Sequence, residues 1–123
     1  MVERVLEACC VLIVEDEYSL AEELRSELTD AGAVVIGPVG NIERAIELVN
    51  GENRIDAAVL DINIRGDYVF PLADMLAERG IPIIFATGYD DLSIPSRFAH
   101  IAICVKPVRH LALIEAISAA VNA

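Results

Sequence analysis

The stretch "AAVLDINIRG", residues 57–66, decides how the rest of this chain is read. Ala57, Ala58, Val59 and Leu60 form an unbroken apolar run, and Asp61 follows where the chain should turn. A short run without polar alternation predicts a strand buried on both faces. A carboxylate at the mouth of such a strand is either solvated at a loop entrance or placed there to react. Its surroundings must decide.

Outward from this stretch, strand-like runs alternate with helical patterns. "CCVLIV" (9–14) predicts a first strand, followed by a helix through about residue 31. Leu20, Leu24 and Leu28 recur every four residues on that helix's inner face, and Gly32 is placed to end it. "AVVIG" (33–37) predicts a second strand, and Asn41 caps a helix whose Ala45, Ile46, Leu48 and Val49 face inward. "DAAVLD" (56–61) is the third strand, followed by a polar loop with Gly66 and a helix over 68–79 that stops at Gly80. "IPIIFAT" (81–87) and "IAICV" (101–105) are the fourth and fifth strands. A last helix spans Arg109 to Val121, with an apolar stripe of Leu111, Ile114, Ile117, Ala120 and Val121. Between strands four and five, "GYDDLSIPSRFAH" predicts only weak helix, because Pro95 lacks a backbone donor. That weakness predicts a mobile fourth helix.

Continuous apolar strands alternating with amphipathic helices predict an α/β domain, a parallel sheet covered on both sides. At 123 residues the chain is read as one domain, 1–123, large enough for a real core. Although 55% of residues are hydrophobic, no apolar run approaches the roughly 18 residues of a membrane span. The charged N-terminus is no secretory signal, so a cytoplasmic protein with no membrane partner is expected. Twenty acids against nine bases give a net charge of −11, which argues against binding a nucleic-acid backbone. Eight bases are scattered arginines; the only lysine is Lys106. Cys9, Cys10 and Cys104 have no metal-ligand spacing and are read as buried, reduced thiols. His100 and His110 lack acidic neighbours in sequence and are read as ordinary surface residues.

In open α/β sheets, sites form at the carboxyl ends of the strands. Strand one ends in Glu15 and Asp16, strand three in Asp61, strand four in Thr87 and strand five in Lys106. Each alone has a bland explanation: a carboxylate at a strand end is commonly a helix cap or a solvated loop residue. Together they are hard to obtain by chance. Three crowded carboxylates repel one another unless a cation holds them. Mg²⁺ suits such a site, since it takes few carboxylates, keeps waters and shares phosphate oxygens. Lys106 and Thr87 then supply an ammonium and a hydroxyl for a phosphoryl group carried by Asp61, a carboxylate nucleophile.

With "VEDE" (14–17), "LDINIRG" (60–66), "FATGY" (85–89) and "VKP" (105–107), the chain resembles the receiver domain of bacterial two-component response regulators over essentially its whole length. The resemblance implies a flavodoxin-like (βα)5 doubly wound sheet of five parallel strands, order 2-1-3-4-5. It implies Asp61 as phosphoacceptor from a sensor histidine kinase or a histidine phosphotransfer protein, and no conventional enzyme activity. It assigns Mg²⁺ to Glu15, Asp16, Asp61 and the backbone carbonyl of Asn63. Thr87 becomes the switch hydroxyl, Lys106 the phosphate-contacting lysine, and the bond before Pro107 is cis. Asn63 and Gly88 are expected to tune hydrolysis of the phosphoryl group. The family's usual switch aromatic is replaced by Ile103, with Tyr89 a candidate substitute; "FATGY" resembles a subgroup rich in stand-alone receivers. Signalling is expected through protein contacts of the fourth helix, fifth strand and fifth helix with an unknown downstream protein, a homodimer being a further candidate.

Three rivals remain, two of them separated by residues. An aspartyl-nucleophile phosphatase needs a second acid two residues after Asp61, where Asn63 stands. A flavin carrier needs a Ser/Thr-rich loop after the first strand, which is absent. A receiver-fold scaffold that works without phosphate differs only in failing to be modified.

Overall fold

The apolar runs pair side by side, all in one direction. The computed structural model describes residues 4–51, 54–88 and 94–122. In chain order the elements are β1 (Cys10–Val14), α1 (Tyr18–Asp30), β2 (Val34–Val39), α2 (Ile42–Asn50), β3 (Ala57–Asp61), β4 (Asn63–Ile64), β5 (Asp67–Tyr68), α3 (Phe70–Glu78), β6 (Ile83–Thr87), β7 (Ala102–Val105) and α4 (His110–Val121). The main sheet has the order β2-β1-β3-β6-β7, every neighbouring pair parallel. Counting its strands alone, this is the expected 2-1-3-4-5.

Because side chains alternate along a strand, the central strands β1, β3 and β6 each serve two cores. Leu12, Leu60 and Phe85 pack with Ala45, Val49, Leu72 and Leu76 of α2 and α3. Ile13, Val59 and Ile84 pack on the other face with Leu24, Leu28, Leu113 and Ile117 of α1 and α4. Burying Leu24 and Leu28 contributes about 1.5–3 kcal/mol each. Gly32 ends α1 with φ +98°, and Ala33 N–H bonds the Leu28 carbonyl across it. Asn41 Oδ1 accepts from Arg44 N–H at 2.7 Å, capping α2 as expected.

Several expectations are corrected. The stripe of α4 is displaced: Leu113 and Ile117 are buried, whereas Leu111 is 65% exposed. The helix expected from residue 68 begins at Phe70, because Asp67 and Tyr68 pair with Ile64 and Asn63 in an antiparallel hairpin. β2 continues through Pro38 to Val39, which an edge strand tolerates since one side of its backbone needs no partner. Of the cysteines only Cys9 is buried; Cys10 and Cys104 are half-buried, and all three are free.

Four α-helices flank the sheet among the described residues. Where a fifth was expected, residues 94–100 contain a single 3-10 turn, Ser96–Phe98. The rest of that expected mobile helix, and Tyr89, lie outside the described residues. Phe98 is buried against Phe70 and Phe85, and Arg97 pairs with Asp74 of α3 at 2.9 Å. The bonds before Pro107 and Pro38 are both cis. Among the described residues no helix is long and apolar enough to cross a membrane.

Candidate functional site

Strand register gathers the site. Val14 pairs with Leu60, so Glu15 stands level with Asp61. Asp61 pairs with Ala86, and Thr87 with Val105, so Thr87 and Lys106 follow one step along at the same sheet edge. The Lys106 N–H closes this edge on the Thr87 carbonyl at 2.8 Å, and the Glu15 N–H does so on the Val39 carbonyl at 3.0 Å.

The three carboxylates converge. One oxygen each from Glu15, Asp16 and Asp61 lies within 4.8 Å of the others. Lys106 Nζ lies between two of them, 2.9 Å from Glu15 Oε1 and 2.8 Å from Asp61 Oδ2. Glu15 is buried, and its Oε2 accepts the Glu17 N–H at 3.0 Å. Its Oε1 is sealed from solvent and faces Lys106 as an ion pair without a well-directed hydrogen bond. Burial pushes the Glu15 carboxyl above the ordinary carboxylate range, against the opposing pull of Lys106 and the Glu17 N–H; the charge of Asp61 adds to the rise. Burial also works against the Lys106 ammonium, but its hydrogen bond to Asp61 and its close pairing with Glu15 outweigh this and raise its pKa.

Asp61 is buried; its Oδ1 receives the Asn63 N–H at a long 3.4 Å. Thr87 is fully buried, its hydroxyl 3.4 Å from the Gly88 carbonyl. Asn63 starts the β4–β5 hairpin, and its Oδ1 accepts the Gly66 N–H at 2.9 Å. All six residues singled out from the sequence therefore lie on or beside one sheet edge. Three hard oxygen donors brought within 4.8 Å of one another suit a divalent cation such as Mg²⁺.

Residues 11–118 match the model of the response regulator receiver domain. The chain belongs to that family. It is thus a receiver domain of two-component signalling, a class of phosphoacceptor signalling domains rather than conventional enzymes. It is similar to the transcriptional regulatory protein PdtaR of Mycobacterium tuberculosis, 28% identical over 116 residues. That match takes in 91% of this chain but 56% of the relative, so the receiver spans little more than half the length of the curated protein it matches. It is also similar to the solution structure of SdrG from Sphingomonas melonis Fr1, with 37% identity, a TM-score of 0.83, and coverage of 94% of this chain and 98% of that one. The BeF3-activated conformation of SdrG from Pseudomonas melonis Fr1 is similar over the whole of both chains, with 35% identity and a TM-score of 0.76.

Two features were missed from sequence. Arg65 N–H donates to Asp16 Oδ2 at 2.8 Å, and His110 Nδ1 lies 3.6 Å from Glu27 Oε1 on α1. Gly66 at the second turn position was the legible sign of a hairpin. Nothing local pairs His110 with a residue so far away in sequence.

Proposed function

We propose that residues 1–123 form a receiver that takes a phosphoryl group on Asp61 from the phosphohistidine of a sensor kinase or histidine phosphotransfer protein. The observation that carries this is the Lys106 ammonium spanning Glu15 and Asp61 within a three-carboxylate pocket. An Asp61 oxygen attacks phosphorus, an O–P bond forms, the donor's N–P bond breaks, and the electron pair stays on the departing imidazole. Lys106 is already bonded to Asp61 and is placed to neutralise the charge of the arriving phosphoryl oxygens. Thr87 is the hydroxyl that bonds the attached group, coupling the β6 end to its presence. Glu15, Asp16, Asp61 and the Asn63 carbonyl would hold Mg²⁺, which supplies charge neutralisation for the transferred group. The BeF3-activated state of SdrG supports this reading, since that anion has the shape and charge of a phosphoryl group.

The chain is further read as a cytoplasmic member of the subgroup with "FATGY" at residues 85–89. It signals by protein contacts, with no nucleic-acid partner. Ile103, 42% exposed at the position of the usual switch aromatic, lies on the face of β7 offered to a downstream protein or a second copy. The test is intact mass after incubation with acetyl phosphate and Mg²⁺. Wild type should gain one phosphoryl group, and Asp61→Asn none. No gain in wild type, with any histidine kinase of the source as donor, would leave a scaffold instead.

A further inference from the structure

The β4–β5 hairpin reaches the acidic cluster through a strained turn. Ile64 pairs with Asp67, and both residues between them have positive φ, +53° at Arg65 and +87° at Gly66. These signs belong to the turn that best matches strand twist in a two-residue hairpin. Glycine adopts them freely, whereas a residue with a Cβ is disfavoured there by about 1–2 kcal/mol. Asn, Asp or Gly would be ordinary at position 65; Arg is not.

The strained conformation aims one group. Arg65 N–H meets Asp16 Oδ2 at 2.8 Å, 49 residues away in sequence. Asp16 is exposed, and among the described residues no other hydrogen bond or ion pair fixes its carboxylate. Glu15 and Asp61, by contrast, are both tied to Lys106. The turn itself is locked by the Gly66 N–H on Asn63 Oδ1. The guanidinium has no carboxylate within 4.0 Å among the described residues. It lies along the Gly40 loop, where a Cβ on Gly40 would stand 3.9 Å from Nη2 and 3.6 Å from Asp16 Cα. The side chain therefore passes beside Asp16, and the main chain makes the bond.

We propose that Arg65 is a positioning residue: its left-handed backbone holds the Asp16 carboxylate turned into the cluster, preassembling the metal-binding half of the site. The consequence for Mg²⁺ rests on the reading above; the Arg65–Asp16 bond does not. In metal-free protein, amide exchange followed by NMR should show the Arg65 N–H protected, and Asp16→Ala should abolish that protection. In Mg²⁺ calorimetry, Arg65→Gly and Arg65→Asn, which take the left-handed conformation and keep the N–H, should bind nearly as wild type. Arg65→Pro removes the N–H and the conformation, and should lose about tenfold or more, the size of a lost outer contact to a metal ligand. A freely exchanging Arg65 amide in wild type overturns the proposal, as does an Arg65→Pro variant that binds like wild type. So does an Arg65→Gly variant as impaired as Arg65→Pro, which would give the role to the guanidinium. If Arg65→Pro fails to fold, the exchange result alone decides. If wild type binds no Mg²⁺ while its Arg65 amide is protected, the metal reading falls and the positioning of Asp16 stands.

Discussion

Lys106 is one cation serving two carboxylates, and removing it leaves both at close quarters. Lys106→Met should cost the metal-free protein about 1–3 kcal/mol in urea unfolding, since charged hydrogen bonds are lost and a buried Glu15 is left unpaired. The loss should shrink when Mg²⁺ is added, because the ion takes over the neutralising role. The raised Glu15 pKa has the opposite sign from an ordinary paired carboxylate. The folded form holds its proton more tightly than the unfolded chain, so stability falls as pH rises from the ordinary 4.5 through the raised value, then levels off. Glu15→Gln should flatten its share of that limb in urea melts at stepped pH; Glu27, also raised by burial, keeps its own share. Lys106 acts at the alkaline end. Its contribution is whole below the ordinary 10.5 and is lost as pH rises through the higher folded-state value. The identities of Glu15, Asp16, Asp61, Thr87 and Lys106 were legible because each ends an apolar run. The ion-pair pattern among them was not, because it depends on which oxygen each side chain turns inward.

Element boundaries turn on two glycines that look alike in sequence and differ in surroundings. Gly32 has φ +98°, and a Cβ there would stand 2.6 Å from Glu7 Oε2 and 2.9 Å from Glu7 Cα. Gly66 has φ +87° with nothing within 4 Å. Gly66→Ala should therefore cost only the left-handed penalty, about 1–2 kcal/mol. Gly32→Ala should cost more by thermal or urea unfolding, because backbone of the N-terminal segment must also move. The hairpin after β3 shows why a polar loop is hard to resolve from sequence. Two-residue strands have too few positions to display a period, so only the turn glycine signals them. Helix α4 misled for a related reason. It is apolar almost all round, so periodicity alone does not choose between the face of Leu113 and the face of Leu111.

At the scale of the whole molecule, a net charge of −11 concentrates repulsion on a fold whose functional edge is itself acidic. The melting temperature should rise with NaCl through screening. It should rise further with Mg²⁺ at equal ionic strength, and Asp61→Asn should lose that further increment. Equal melts in the two salts would count against a built cation site. The sequence by itself determined the alternation of strands and helices, the parallel sheet and the residues ending each strand, because burial on both faces demands continuous apolar runs and parallel pairing demands crossovers; the strand order came from the resemblance to receiver domains alone. Only the tertiary structure decided that Lys106 bridges Glu15 and Asp61, that Arg65 turns left-handed to hold Asp16, and that His110 meets Glu27. Those contacts join residues many positions apart, and their geometry follows from strand register and helix rotation, which no local stretch of chain encodes.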